Sequence, residues 1–335
     1  MANSGAAAGL YYGVEKYYNP SVGWRGNVGQ GVSSTLGFCI GAKLTSMERN
    51  NNIEVIYGLG QSEPIVLVEK QFAGSFSVEG LLSDPWFLIP LFGVYNPTAK
   101  TMYAVSGAMG SLTVVNSIIN NRGATPVIHT FQLIGCVMTN CSISSAVNEI
   151  ATCKMDYAYM NEGYNSITPY SQGAASSVSM PYTFAAGNLY WNGSSQPLAQ
   201  VQSVELTINP NRYLIYGLGQ RTAVNAVGKN IEYDINLSLV FEDPADMLRY
   251  FYTGQASGTT PVRGGAAGCL IESTLTLTFV NCFGGNSITF SLTGIKINTD
   301  SLPQNPTEMI VENVNMKAKT CVATVVSATA NPPLP

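Results

Sequence analysis

The hexapeptide Ile-Tyr-Gly-Leu-Gly-Gln occurs twice, at 56–61 and at 215–220, a spacing of 159 residues. The same spacing keeps working downstream. Val68 has a counterpart in Val227, Lys70 in Lys229, Asp84-Pro85 in Asp243-Pro244 and Phe92 in Phe251. Thr130-Phe131, Leu133 and Gly135 return as Thr289-Phe290, Leu292 and Gly294; Ser142 returns as Ser301 and Glu149 as Glu308. An offset this constant reads as tandem duplication of one unit of about 160 residues, far longer than a solenoid repeat of roughly 20–50. The expected division is a first domain, 1–162, with an N-terminal arm, and a second, 163–335, entered through an uncharged linker and closed by a Pro-rich tail, Ala328–Pro335. The stretch Gly163–Ser203 carries no charge and contains the junction.

Within each unit the pattern is that of strands. Ile231, Tyr233, Ile235, Leu237 and Leu239 alternate with Glu232, Asp234, Asn236 and Ser238, which is the period of a half-buried strand. In the first unit Phe76 and Val78 take the inward set, and Ser75, Ser77 and Glu79 the outward set, in the same register. The motif Asp243-Pro244 predicts a helix start, with Asp243 as N-cap, Pro244 at the first turn and Gly254 as a stop. Asp84-Pro85 predicts the same helix in the first unit, shortened or kinked by Pro90. Further strands are predicted around Leu112–Ile119, Val127–Ile134, Ile150–Met160, Ser273–Val280, Ser287–Thr293 and Met309–Lys319. Each unit is therefore expected to be a small barrel or sandwich with one short helix. Gly58, Gly60, Gly217 and Gly219 fit a strand end or bulge with close backbone approach.

Composition narrows the function. Charged residues are 11% of the 335, against roughly 25% in an ordinary soluble chain. With 46% apolar residues and a net charge of −4, intrinsic disorder is excluded and a basic nucleic-acid coat has no support. No run of about 20 apolar residues predicts a spanning helix, so no membrane partner is expected. The N-terminal residues lack the basic and apolar regions of a secretory signal, which argues for use without export. A weakly charged surface rich in Tyr, Gly and Asn fits one largely covered by neighbouring molecules.

Chemistry is hard to assemble from these residues. His129 is the one histidine, and Ile288 stands at its place in the second unit, so a structural role is preferred to a catalytic one. The seven cysteines (39, 136, 141, 153, 269, 282 and 321) form no C-x-x-C pair and read as small buried thiols rather than metal ligands. The glycines of IYGLGQ are not followed by Lys-Ser/Thr, so no phosphate loop is present. Glu149 and Glu308 are the one recurring acid that could suggest chemistry, best read as a turn or an intersubunit contact. Asn140, Asn192 and Asn236 head Asn-x-Ser sequences that arise easily in an Asn- and Ser-rich chain. Tyr11, Tyr12, Tyr17 and Tyr18 suit stacking on a sugar or base, but interface packing is the commoner use of such a cluster. No catalytic, cofactor or metal residue is assigned, and the chain is read as no enzyme.

Three segments taken in order resemble a known family. They are IYGLG; then GSFSVEG followed by DPWFLIPLFG; then HTFQLIGCVMTNCSISSAVNEIATCKMDYAY, repeated as ITFSLTGIKINTDSLPQNPTEMIVENVNMKAKT. This is similar to the tail tube (major tail) proteins of tailed viruses, over roughly 40–160 and 200–325. The resemblance reads the last motif as a strand ending in glycine, a polar strand, a turn and an alternating strand. It implies a mainly β chain of two tandem tail-tube-like units.

The same resemblance implies rings whose sheets join around a lumen, stacked into a tube for genome passage. A chain with two units then needs three copies per pseudo-hexameric ring. Partners would be further copies of itself, other tail proteins and passing viral DNA bound without specificity. The location would be the virion tail, after assembly in the host cytoplasm. Ser75, Ser77, Glu79, Glu232, Asp234 and Asn236 become lumen-lining candidates, because a DNA conduit lined with cations would bind phosphate and slow passage. The loops Gln61–Gln71 and Gln220–Asn230, with Lys70 and Lys229, become candidates for contact with the next ring. The competing reading is a two-domain capsid subunit or another self-assembling surface β-protein, which would form shells rather than tubes.

Overall fold

The computed structural model describes residues 8–30, 36–37, 41–60, 62–83, 85–105, 107–120, 127–164, 181–183, 187–192, 201–240, 272–281, 285–301, 310–326, 332 and 334–335. The protein is mainly β. The first half contributes β1 (Ala8–Asn19), β2 (Gly23–Arg25), β3 (Leu36–Gly37), β4 (Lys43–Asn50), β5 (Ile53–Tyr57), β6 (Pro64–Glu69) and β7 (Ala73–Leu81). After these come the helix α1 (Leu88–Phe92), β8 (Gly93–Asn96), β9 (Thr101–Ala104), β10 (Ser111–Asn120), β11 (Val127–Ala146), β12 (Thr152–Tyr159) and β13 (Asn161–Tyr164). The second half contributes β14 (Asn188–Trp191), β15 (Val201–Asn209), β16 (Arg212–Tyr216), β17 (Ala223–Gly228) and β18 (Glu232–Val240). It ends with β19 (Ser273–Val280), β20 (Ser287–Ser301), β21 (Val311–Ala318) and β22 (Thr320–Val326).

Ten strands form one closed circuit: β1, β10, β11, β15, β18, β21, β20, β22, β9 and β8. A parallel bridge between Tyr18 and Val94 returns β8 to β1. Five of these strands come from each half. The barrel is thus shared between the two halves. β9 of the first half bonds to β22 of the second, and one continuous apolar core, from Tyr12 to Val325, fills the space between the halves. Joint closure leaves fewer free strand edges than two separate units would.

An eight-stranded antiparallel sheet runs across both halves in the order β4-β7-β12-β11-β15-β18-β21-β20. Strand pairings recur at the 159-residue spacing: within this sheet Val78 opposite Met155 returns as Leu237 opposite Val314, and beyond it Leu133 opposite Glu162 returns as Leu292 opposite Cys321. Alternation explains the core face. Phe76, Val78, Met155 and Tyr157 point inward from the first half, and Tyr233, Ile235, Leu237, Val314 and Met316 from the second.

β11 and β20 depart from the expected strand ending at glycine. Each runs unbroken through it, bending where Gly135 and Gly294 hold φ of +66° and +65°. A side chain at 135 would be strained and would also meet the Met160 sulfur at 2.5 Å. The bend lets one strand serve two sheets: β11 pairs with β10 and β13 before it and with β12 and β15 after it.

The helix also differs from expectation. α1 begins three residues after Pro85, with Phe87 at its N-cap and no side-chain cap, and Pro90 lies inside it. Bonds from Leu88 N to Pro85 O and from Ile89 N to Trp86 O tighten the preceding turn. All five helical residues are buried, so packing rather than capping holds it. Asp84 and the helix expected from Asp243 lie outside the described residues, as do most of the junction and most of the C-terminal tail. Of that tail, Leu334 packs against the core.

Candidate assembly surfaces

The repeated IYGLGQ segments form the outgoing strand and turn of two hairpins, β5–β6 and β16–β17. The segments 61–71 and 220–230, expected as loops, are chiefly the return strands. Both hairpins carry a register irregularity at the same place, between Ile56 and Tyr57 and between Ile215 and Tyr216. In the second turn Gln220 N bonds to Gly217 O, and Gly219, at φ +78°, takes the position that needs a positive φ. Gly60, at φ +77°, does the same in the first. Neither has an atom near its missing side chain, so turn geometry and not close approach explains these glycines.

The two hairpins differ in what they touch. β16–β17 lies against the first half: Leu214 and Ala226 pack with Met109, Val137 and Ala158. Arg212 is buried and donates from Nη1 to Pro90 O and from Nη2 to Leu91 O, each at 2.5 Å. Burial without a carboxylate lowers its pKa from 12.5 to about 10. Tyr216 Oη donates to Phe72 O, and Arg221 pairs with Glu69. Hairpin β5–β6, by contrast, exposes Ile53, Val55, Ile56, Tyr57, Leu59, Ile65, Val66, Leu67 and Val68. Lys70 pairs with Glu54 at 2.6 Å, and Lys229 sits 5.3 Å over the Tyr213 ring. An apolar two-stranded arm left in water is unstable alone and marks a contact surface.

The outer face of the eight-stranded sheet is chiefly polar, with Ala158 and the Val240–Val311 pair among its apolar members. Ser75, Ser77 and Glu79 on β7 and Glu232, Asp234 and Asn236 on β18 all lie on it, opposite the buried set. Cross-strand bonds tie it together. Asp156 accepts from Ser77 Oγ and Asn140 Nδ2, and Glu205 accepts from Ser142 Oγ and Asn236 Nδ2. Lys43 pairs with Glu79 at 3.5 Å and Lys317 with Asp234 at 2.8 Å. By register, Glu48, Glu79, Asp156, Glu205, Glu232 and Asp234 share this face with Lys43, Lys154, Lys296 and Lys317. Acids outnumber bases. Its centre is a shallow concavity of about 530 Å³ lined by Ser144, Glu205, Asn236, Ser238, Asn313 and Asn315.

The sheet ends in two open edges. Among the described residues β4 forms a strand ladder only with β7, and Lys296–Ser301 of β20 only with β21. Open edges, an apolar arm and a neutral-to-acidic concave face together describe a subunit that is incomplete alone. The phage tail tube protein family profile matches residues 5–318. The chain belongs to the phage tail tube protein family. It is a structural component of the virion tail. No individual curated protein matches the sequence.

The remaining candidates settle within this tail tube fold. Tyr12 and Tyr17 are core residues of β1, which corrects the interface reading for these two of the four tyrosines, while Tyr11 and Tyr18 stay half-buried. The cause is that β1 pairs with β10 inside the barrel. His129 is exposed beside Tyr164, with Nδ1 2.6 Å from the hydroxyl. Cys136, Cys141, Cys153 and Cys321 are buried free thiols. Glu149 sits exposed in a turn, its N–H bonded to Ala146 O; Glu308 lies outside the described residues. Sequence reasoning missed Glu15, a buried carboxylate. It accepts from Gly29 N, Ser111 Oγ, Thr113 Oγ1 and Gly135 N at 2.6–3.0 Å, pinning the bend of β11. It also missed Arg212 and the ion pair of Arg49 with Glu162.

Proposed function

We propose that three copies close into a pseudo-hexameric ring, that rings stack into a tube, and that viral DNA passes through the lumen. The carrying observation is the eight-stranded sheet with unpaired β4 and β20 edges. Three such sheets joined edge to edge make a continuous wall and remove every free edge of that sheet. The 159-residue recurrence supports reading each half as one tail-tube unit, which is why three chains stand for six. The polar concave face, with Ser75, Ser77, Glu79, Glu232, Asp234 and Asn236, is the lumen side in this reading. Lys43 and Lys317 are paired with carboxylates and the acids of this face outnumber its lysines, so little net cation remains to hold phosphate. Hairpins β5–β6 and β16–β17, tipped by the fully exposed Leu59 and Leu218, make the contact with the next ring. Lys70 and Lys229 lie at their bases.

Electron microscopy of the purified chain at high concentration tests this. Hollow rods or rings with threefold symmetry and six lobes are expected, and Leu59→Asp should shift rods toward single rings. Closed shells, or a monomer under all conditions that assemble the tube in the virion, would overturn it.

A further inference from the structure

The chain already contains one joint between its halves, and that joint has a defined register. β11 meets β15 antiparallel, with Cys141 opposite Ile208, Ser142 opposite Thr207 and Ile143 opposite Leu206. At the 159-residue spacing, Cys141 and Ser142 correspond to Asp300 and Ser301, on the open side of β20. Thr207 and Ile208 correspond to Glu48 and Arg49, on the open side of β4. We propose that β20 pairs with β4 of a neighbouring copy in this same register, setting Asp300 opposite Arg49 and Ser301 opposite Glu48 of the neighbour. The proposal rests on the ring reading above and adds which strands meet, in which register, and by which charges.

Three observations carry it. First, the geometry of β20 matches that of β11. Both skip one residue between the bend and the joint, at Thr139 in β11 and at Asn298 in β20. Asp300 therefore faces the core side beside Val314, as Cys141 does beside Met155. Arg49, opposite Gly74, lies on that same side of the sheet, where its guanidinium reaches Phe131 and Glu162.

Second, the chemistry of the joint changes in a complementary way. Within the chain it is sealed by Cys141, Cys153 and Ile208, all buried. The corresponding positions at the open edges are Asp300, Glu312 and Arg49: two acids on one edge and a cation on the other. Asp300 Oδ1 is shielded from solvent and has no hydrogen-bond partner among the described residues. Glu312 is buried next to it and hydrogen-bonds the Asp300 side chain, and burial, followed by the charge of Asp300 and that bond, raises the Glu312 pKa from 4.5 to about 7. Arg49 gives Nε and Nη2 to Glu162 and also engages the Tyr159 hydroxyl, with the side chain half exposed. A guanidinium can serve two carboxylates, because it has five donors in a fixed fork.

Third, the substitution has a physical reason. The joint inside the chain is tethered and can afford apolar contacts. The joint between chains must form between separate copies without β4 pairing to β4 or β20 to β20. On the core side of the joint, Asp300 on one edge and Arg49 on the other favour the head-to-tail contact that closes a ring over β4 or β20 pairing with its own kind.

The test is disulfide trapping of the full chain at the second pair, which leaves Asp300 and Arg49 in place. Directly opposed residues of an antiparallel pair have Cα atoms about 4.5–5.5 Å apart, within disulfide range, and a two-residue slip takes them beyond it. Ser301→Cys with Glu48→Cys should give, under mild oxidant, a covalent series ending at the trimer on a non-reducing gel. Ser301→Cys with Asn50→Cys should give at least about tenfold less. Rings seen by microscopy in which the first pair stays unlinked, or the second links better, would overturn this register and leave the ring reading standing. Absence of rings in the wild-type chain, with no linkage in either variant, would remove both.

Discussion

Replacing Arg212 by methionine should loosen hairpin β16–β17 from the barrel by about 2 kcal/mol. Arg212 ties the hairpin to the last carbonyls of α1, Pro90 O and Leu91 O, which the short helix leaves without internal partners. Two hydrogen bonds from a charged donor are worth about 1.5–3 kcal/mol each. Against them stands the burial of a cation with no carboxylate beside it. The depression of its pKa from 12.5 to about 10 puts that cost near 3 kcal/mol. The bonds therefore win by a small margin. Methionine relieves the burial but leaves both carbonyls dry and unpaired, which moves the result further toward loss. The loss should be local, because Leu214 and Ala226 are the hairpin's chief apolar anchors and the barrel does not depend on it.

Native-state hydrogen exchange on the unassembled chain is the suitable assay, since a 335-residue chain need not unfold in one step. Amides of Arg212–Tyr216 and Ala223–Gly228 should exchange about 30-fold faster in the variant, while β18 and β21 stay unchanged. Arg212→Lys should fall between, as one ammonium cannot match the fork. Exchange within about threefold of wild type would refute the reasoning. It would mean that burying the guanidinium cancels its bonds and that apolar contact alone docks the hairpin.

Two further outcomes follow from buried carboxylates. Glu15→Gln should cost about 1–3 kcal/mol in urea melts: whichever way the amide turns, its NH₂ faces either Gly29 N–H or Gly135 N–H, and a backbone donor cannot turn away. An unchanged midpoint would show that the four bonds to Glu15 contribute nothing net. Glu312 has a pKa raised from 4.5 to about 7, so its contribution to the stability of the free chain is present in full below pH 4.5 and is lost as pH rises through 7. Asp300 of β20 is the charged group beside it and shares a hydrogen bond with it, while Leu239 opposes it from β18. The stability difference between wild type and Glu312→Gln, followed by thermal melts from pH 4.5 to 8, should therefore move against the wild type with rising pH; a flat difference would contradict the assignment.

Much of the sheet was legible because both of its signals are local. Alternation placed Phe76 and Val78 inward on β7 and Tyr233 to Leu239 inward on β18, and the 159-residue spacing related the two strands. Partner choice is not local. Nothing in Thr101–Ala104 announces that it will bond to Val322–Thr324 and close a barrel across the two halves. The burial of Tyr12 and Tyr17 follows from such a choice, since β1 pairs with β10 in the barrel.

Bulges account for the rest. Alternation assigns a residue to a face only until the strand skips one, and a skip leaves no mark in composition. β1 shifts register between Val14 and Lys16, so Glu15 turns into the interior where Ser111, Thr113 and two backbone amides await it. Counting inward from Ile295 and Ile297 would send Thr299 to the core, yet the shift at Asn298 sends Asp300 there instead. A single such shift could be an accident of packing. The same shift at Thr139, 159 residues earlier, is harder to dismiss, because there it delivers Cys141 to a joint that is already closed. A bulge costs ladder hydrogen bonds and recurs where a strand must re-aim its side chains. Its presence on the edge that is still open, aiming an acid where the sister edge aims a thiol, points to an edge shaped for a partner.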